Sequence, residues 1–188
     1  SDTHTLVMIE SYRDSHYAEI IAELCPELQT AQPGKPLHCK RLPFLRNIVT
    51  VGYRQTGCLT WEEAVALSGR VSPQEVRRRA ANVGLHDVAN MQYTSGTTGF
   101  PKGVMLTHYN VVNNGKYIGD HMDLSTADRM MIQVPMFHCF GMVLSMTASM
   151  THGTTMCPLP YFSPKPALAC VNQERITTFN GVPTMFIA

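Results

Sequence analysis

Val88-Ala89-Asn90-Met91-Gln92-Tyr93 alternates in the manner of a strand and runs unbroken into Thr94-Ser95-Gly96-Thr97-Thr98-Gly99-Phe100-Pro101-Lys102-Gly103. Val104-Met105-Leu106 follows as a short apolar run, and a helix is expected over residues 108–119. The same alternation extends outward in both directions. Toward the N-terminus, Leu6-Val7-Met8-Ile9 is apolar, and residues 14–24 place apolar side chains at 17, 20, 21 and 24, which is helical spacing. Ile48-Val49-Thr50-Val51 reads as a buried strand ending at Gly52. Thr60 opens a helical turn or two with Glu63 three residues on, the pattern of a capping box. Ser72-Pro73-Gln74-Glu75 starts a further helix. Toward the C-terminus, residues 130–134, 154–157 and 176–179 read as strands, Ser163-Pro164 opens a helix, and Pro183 begins another. Strands alternating with helices at this spacing indicate an α/β fold with a parallel sheet.

Composition narrows the function classes. The 188 residues are 44% hydrophobic and 15% charged, with a net charge of +1; a typical chain is about 25% charged. Disorder, collagen and coiled coil are excluded, and the near-neutral balance argues against a nucleic-acid binder. Arg77-Arg78-Arg79 is read as a solvated helix face. Residues 130–164 contain no Asp, Glu, Lys or Arg and hold seven of the twelve methionines. A membrane span needs about 20 predominantly apolar residues. Gln133, Pro135, His138, Gly141, His152 and Gly153 interrupt this stretch, so a buried strand-loop-helix-strand unit is expected, with no membrane span. Met142, Met146 and Met150, four apart, are read as core, with a methionine-lined acyl tunnel as the alternative. Cysteines at 25, 39, 58, 139, 157 and 170 include no CxxC, so no metal or redox motif is expected. Residues 1–10 carry no secretory leader, and a reducing interior is expected, cytoplasmic or, in a eukaryote, the mitochondrial matrix.

Residues 93–103 carry the chemistry. Gly96, Gly99 and Gly103 permit backbone angles closed to other residues, so that successive N–H groups can converge on an anion. Thr94, Ser95, Thr97 and Thr98 add hydroxyl donors, and Lys102 adds a positive charge. Such a loop suits a polyphosphate. It is not a Walker loop, because Pro101 and Gly103 stand where that pattern needs Gly and a hydroxyl, and the GxGxxG fingerprint fails as well.

Together these residues closely resemble the phosphate-binding signature of the adenylate-forming (AMP-binding) enzymes, which include acyl-CoA synthetases, luciferases and peptide-synthetase adenylation domains. Pro135-Met136-Phe137-His138-Cys139-Phe140-Gly141-Met142 resembles the family's aromatic-His-Gly motif. Gly181-Val182-Pro183-Thr184-Met185-Phe186 resembles the segment that walls its acyl pocket. Cys25-Pro26-Glu27-Leu28, Ala31-Gln32-Pro33-Gly34, Arg41-Leu42-Pro43 and residues 108–114 are similar to the medium-chain acyl-CoA synthetase branch.

The resemblance implies a layered, mostly parallel sheet flanked by helices, and a fatty acyl-CoA synthetase that works through an acyl-adenylate. Its co-substrates would be ATP with Mg²⁺, coenzyme A, and a fatty acid or other carboxylic acid. Thr94, Ser95, Gly96, Thr97, Thr98, Gly99, Phe100, Pro101 and Lys102 would bind nucleotide. Lys102 and His138 would serve catalysis, Lys102 by offsetting charge and His138 by orienting the carboxylate. His138, Phe140, Gly141, Gly181, Val182, Pro183 and Thr184 would meet the substrate. The other reading of His138 is a satisfied core histidine, and His108, His121 and His152 are read as structural. Residues 1–188 resemble a central portion of the large N-terminal domain, expected to be inactive alone and to self-associate. Alternatives are another adenylating enzyme (aryl-CoA ligase, luciferase-like or peptide-synthetase) and a non-catalytic phosphate- or nucleotide-binding module.

Overall fold

A computed structural model describes residues 2–96 and 99–187; Thr97 and Thr98, both expected to bind phosphate, lie outside the described residues. The chain divides into two compact units, Ser1–Ala80 and Ala81–Ala188.

In the first unit the Ile48-Val49-Thr50 run becomes the middle strand of a parallel three-stranded sheet. Strand β2 (Asn47–Val51) lies between β1 (Thr5–Ile9) and β3 (Leu59–Thr60), with Val7 opposite Val49 and Thr50 opposite Thr60. Thr50 is fully buried, and its hydroxyl donates to the Tyr53 carbonyl at 2.7 Å, which meets the requirement that a buried polar group find a partner. Helix α1 (Tyr17–Leu24) turns Ile21 into the core, where it meets Cys25, Leu28, Leu37, Leu45 and Ile48. Thr60 and Glu63 form the expected capping box on α2 (Trp61–Ala66). In α3 (Pro73–Ala80), Glu75 accepts from Arg78 at 2.7 Å and from Arg79 at 2.8 Å, so the basic triplet is a solvated face as expected.

The second unit opens with β4 (Val88–Thr94) and β5 (Lys102–Thr107), which pair antiparallel. The parallel expectation fails at this pair for a simple reason. Residues 95–101 are too few for the crossover of a dozen or more that parallel strands require, so the chain turns back on itself. Helix α4 (His108–His121) follows, its N-terminus held by a Thr107–Asn110 capping box.

Strand β6 (Arg129–Ile132) then forms the centre of a parallel sheet between β7 (Thr155–Pro158) and β8 (Thr178–Phe179). Met130 and Ile132 face a cluster with Leu124, Val134 and Ala148, whereas Met131 faces Ala167 and Cys170. Burial on both faces explains why this strand is a continuous apolar run rather than an alternating one. Each such side chain contributes about 1.5–3 kcal/mol on burial. The β6 part of the charge-free stretch is therefore buried, and among the described residues no helix is long and apolar enough to cross a membrane.

After β6 the chain forms a π-helix, Phe140–Thr147, and then α5 (Ala148–His152). Gly141, Val143, Ser145 and Thr147 are its buried positions, and Met150 is 65% exposed. The wider π turn breaks the four-residue spacing on which Met142, Met146 and Met150 would share one face. Of these, Met146 packs into the core. Helix α6 (Pro164–Gln173) and α7 (Pro183–Ile187) complete the unit.

Candidate functional site

The Gly/Thr loop is the tip of the β4–β5 hairpin. Thr94 and Lys102 face each other at its base, and Tyr93 lies opposite Gly103. Gly96 and Gly99 have φ of +65° and +87°, in the left-handed region where glycine is favoured. A Cβ on Gly96 would collide with the Phe100 carbonyl oxygen. Gly103 differs from expectation: it is an ordinary strand residue of β5. A Cβ there would stand 3.3 Å from Met91 Sδ and 3.4 Å from Tyr93 Cε1, so this glycine makes room for side chains of the facing strand.

Ser95, Phe100, Pro101 and Lys102 are exposed, Phe100 at 81%. Among the described residues no carboxylate pairs with Lys102. Residues 88–103 contain no Asp, Glu or His at all. The tip thus carries backbone N–H groups, hydroxyls and one cation, with no anion beside them, which is the chemistry of an anion site.

The other two motifs meet at the carboxyl ends of β6 and β8, where ligands bind in open parallel sheets. The buried Gln133 follows β6, and its Nε2 donates to the Asn180 carbonyl at 3.3 Å. Asn180 follows β8, and its Nδ2 donates to the Leu144 carbonyl at 3.3 Å and to Ser145 Oγ at 3.1 Å. This network ties the strand ends to the π-helix. Neither amide stood out in the sequence; Gln133 registers there only as an interruption of an apolar run. A Cβ on Gly181 would stand 3.2 Å from Gln133 Nε2 and 3.0 Å from Phe186, so Gly181 packs close to the end of β6, while Val182, Pro183 and Thr184 after it are exposed.

Gly141 is required by a close approach as well. A Cβ there would lie 2.7 Å from the Pro135 carbonyl carbon and 2.9 Å from Met136 Cα, both backbone atoms. The π-helix therefore starts hard against the loop that carries His138. The backbone N–H of Phe140 donates to His138 Nδ1 at 3.1 Å, which assigns the ring proton to Nε2 when the imidazole is neutral. His138 is exposed, so the core-histidine reading fails, and Phe137 beside it is 83% exposed. Phe140 itself is half-buried against the Met130 and Ile132 cluster.

Met131, Gln133, Phe179, Met185 and Phe186, with Leu168 of α6, line an apolar cleft of about 250 Å³ beside this junction. A larger cleft of about 570 Å³, at Arg129, Cys157 and Glu174, contains none of the residues expected to bind nucleotide or substrate. Among the described residues no hydrogen bond or ion pair joins the hairpin tip to His138; α4 connects the two parts, running from the end of β5 to pack on the π-helix and α5. On that contact His152 reaches Asp120 at 3.1 Å, and Lys116 reaches the same carboxylate at 2.6 Å. These partners hold the Asp120 carboxyl below its usual range, Lys116 first and His152 second. His152 is structural, as expected.

The model of the AMP-binding enzyme family matches residues 12–188. The chain belongs to this family. Among curated AMP-binding enzymes, it is 46% identical over its whole length to the Bacillus subtilis protein YngI, named as an acyl-CoA synthetase, and covers 34% of that protein. It is 37% identical to the rat mitochondrial medium-chain acyl-CoA ligase ACSF2, over 97% of this chain and 30% of the relative. The chain thus spans about a third of the length of the curated relatives it matches.

Solved AMP-binding structures share the fold. One is a Rhodopseudomonas palustris protein titled as a long-chain-fatty-acid CoA ligase, with a TM-score of 0.70 at 17% identity, covering 98% of this chain and 39% of that one. Another is apo MbtA of Mycobacterium smegmatis, with a TM-score of 0.66 at 21% identity, covering 98% and 30%. The layered, mostly parallel α/β architecture expected from the sequence is the architecture of this family.

Proposed function

We propose that the protein carrying this chain is an ATP-dependent acid–thiol ligase that joins a fatty acid to coenzyme A. The carboxylate attacks the α-phosphorus of ATP, the bond from that phosphorus to the bridging oxygen breaks, and pyrophosphate leaves. The coenzyme A thiol then attacks the acyl carbon, releasing AMP and a proton. The observation that carries this reading is the hairpin tip, which offers two left-handed glycines, hydroxyls and Lys102 and no carboxylate.

Bringing a carboxylate to a polyphosphate sets two anions against each other. Lys102 and the tip N–H groups offset that repulsion and stabilise charge gathering on the departing pyrophosphate. A carboxylic acid is already ionised at neutral pH, so His138 need not act as a base. Its Nε2–H instead orients the carboxylate. Phe140 and Gly141, after β6, and Gly181, Val182, Pro183 and Thr184, after β8, would meet the substrate, and the apolar cleft supports an acyl rather than a polar tail. The names of YngI and ACSF2 support an acyl substrate, of medium chain length in the ACSF2 case.

Mg²⁺ is a poor fit as a resident ion of this chain. The hairpin has hydroxyls but no carboxylate, so the ion enters as the magnesium complex of ATP, part of the substrate. Exposed Val88, Met91, Tyr93 and Met105 on the hairpin support self-association of the isolated chain.

The test is pyrophosphate–ATP exchange in the protein that carries this chain. Exchange should require a fatty acid and should fall by about 10²–10³-fold in Lys102→Ala, the range for removing one charge-stabilising group. Exchange without added acid, or unchanged by Lys102→Ala, would refute the proposal.

A further inference from the structure

The first unit contains a side-chain cluster that the ligase chemistry does not use. Cys25 ends α1, Glu27 sits in the 3-10 turn Pro26–Gln29, and Cys39 comes from the irregular loop that follows. Their ligand atoms, two Sγ and a carboxylate oxygen, all lie within 4.8 Å of one another. Cys25 is 0% and Cys39 3% exposed. Glu27 Oε1 accepts from the Lys40 backbone N–H at 3.2 Å, but Oε2 is buried without a hydrogen bond of normal geometry. The other polar groups at this carboxylate are the Cys25 and Cys39 thiols, which are weak donors, so the buried oxygen is poorly satisfied, and that is costly. The Cys39 thiol donates at 3.5 Å to the Leu24 carbonyl, at the carboxyl end of α1. Carbonyls at a helix end carry partial negative charge and favour a cation.

We propose that Cys25, Glu27 and Cys39 form a binding site for a thiophilic divalent cation of the zinc class. Two thiolates with a carboxylate are the donors such an ion prefers, whereas Mg²⁺ and Ca²⁺ take all-oxygen sets. Ligands around a tetrahedral zinc stand about 3.5 Å apart, so closing the cluster needs a shift of about 1 Å. The loop that carries Cys39 has no regular structure to resist it. Without the ion the Cys25 thiol stays protonated: burial first, then the neighbouring Cys39 and Glu27, push it up to about 12. Each thiol that ligates the ion gives up its proton, so uptake is favoured as pH rises. The ion satisfies Oε2 and clips the loop to the end of α1. The spacing is Cys-x-Glu with a second Cys in a later loop, which no CxxC search detects.

The test uses purified, reduced, chelator-treated protein titrated with Co²⁺ as the zinc surrogate. One equivalent should bind with a thiolate-to-cobalt charge-transfer band and be displaced by Zn²⁺. Cys39→Ser should lose the band, and Cys170→Ser, outside the cluster, should keep it. Glu27→Gln should keep the band but bind about tenfold or more weakly, which holds the proposal open to test if Cys39→Ser does not fold. Absence of the band in the reduced wild type would overturn the proposal, as would equal uptake by Cys39→Ser or by Glu27→Gln. Formation of a Cys25–Cys39 disulfide on air exposure, with no cation taken up by the reduced protein, would overturn it too.

Discussion

At the scale of single residues, glycines and amides do more than the charged groups. Gly96 holds φ at +65° with the Phe100 carbonyl oxygen where a Cβ would lie. Gly96→Ala should therefore cost about 1–2 kcal/mol from the left-handed backbone alone, read as a lower thermal midpoint. ATP affinity should drop with it; unchanged affinity would detach the tip from nucleotide binding. Lys102 and His138 stood out in the sequence because their chemistry is unusual for their surroundings, a cation after a Gly/Thr run and an imidazole in a charge-free stretch. Gln133 and Asn180 did not. An amide carries no local signal of its partner, and their bonds join strand ends 47 residues apart in the chain. Cys25, Glu27 and Cys39 were hidden for the same reason, since a loop fold rather than a motif brings them together.

At the scale of elements, local capping chemistry and the parallel sheets were legible, and the antiparallel pairing of β4 with β5 was not. Thr60 and Glu63 announce α2 in the sequence and cap it in the structure. The same box on α4 uses Asn110 in place of Glu or Gln, which is why the usual pattern misses it; its Oδ1 accepts the Thr107 N–H at 3.0 Å. Because α4 joins the hairpin to the π-helix, Thr107→Ala should cost about 1 kcal/mol of stability, measured by urea denaturation. A loss below a few tenths would show the box to be ornamental. The antiparallel hairpin follows from a connection too short for a crossover, a constraint visible in the numbering once both strands are granted. The π-helix had no sequence signature, because an apolar run without charges fits a 3.6-residue or a wider turn equally well. Its wide turn lets Ser145 and Thr147 bond back to the carbonyls of Phe140 and Met142, at 3.4 and 2.9 Å.

At the scale of the whole molecule, the carboxylates set the response to acid. Glu27, Glu63, Glu75, Asp120 and Asp128 are all held below their ordinary values by hydrogen bonds, from Thr177 first in the case of Asp128. A depressed folded-state value means that the stabilisation is fully present above the unfolded value, about 4. It is lost as pH falls through the folded value. Stability to urea should therefore be flat from about pH 5 to 7 and decline below about pH 4; a decline already complete at pH 5 would point to other groups. The charge-poor composition found its meaning at this scale as well, as a β6 strand buried on both faces; the proposed polyphosphate site would depend on one loop and one lysine. The most direct measurement is oxygen transfer from ¹⁸O-labelled fatty acid during coenzyme A ligation by the protein that carries this chain. An acyl-adenylate passes one carboxylate oxygen to AMP, so AMP should gain one ¹⁸O per thioester formed. Label appearing in inorganic phosphate instead, or unlabelled AMP, would contradict attack at the α-phosphorus.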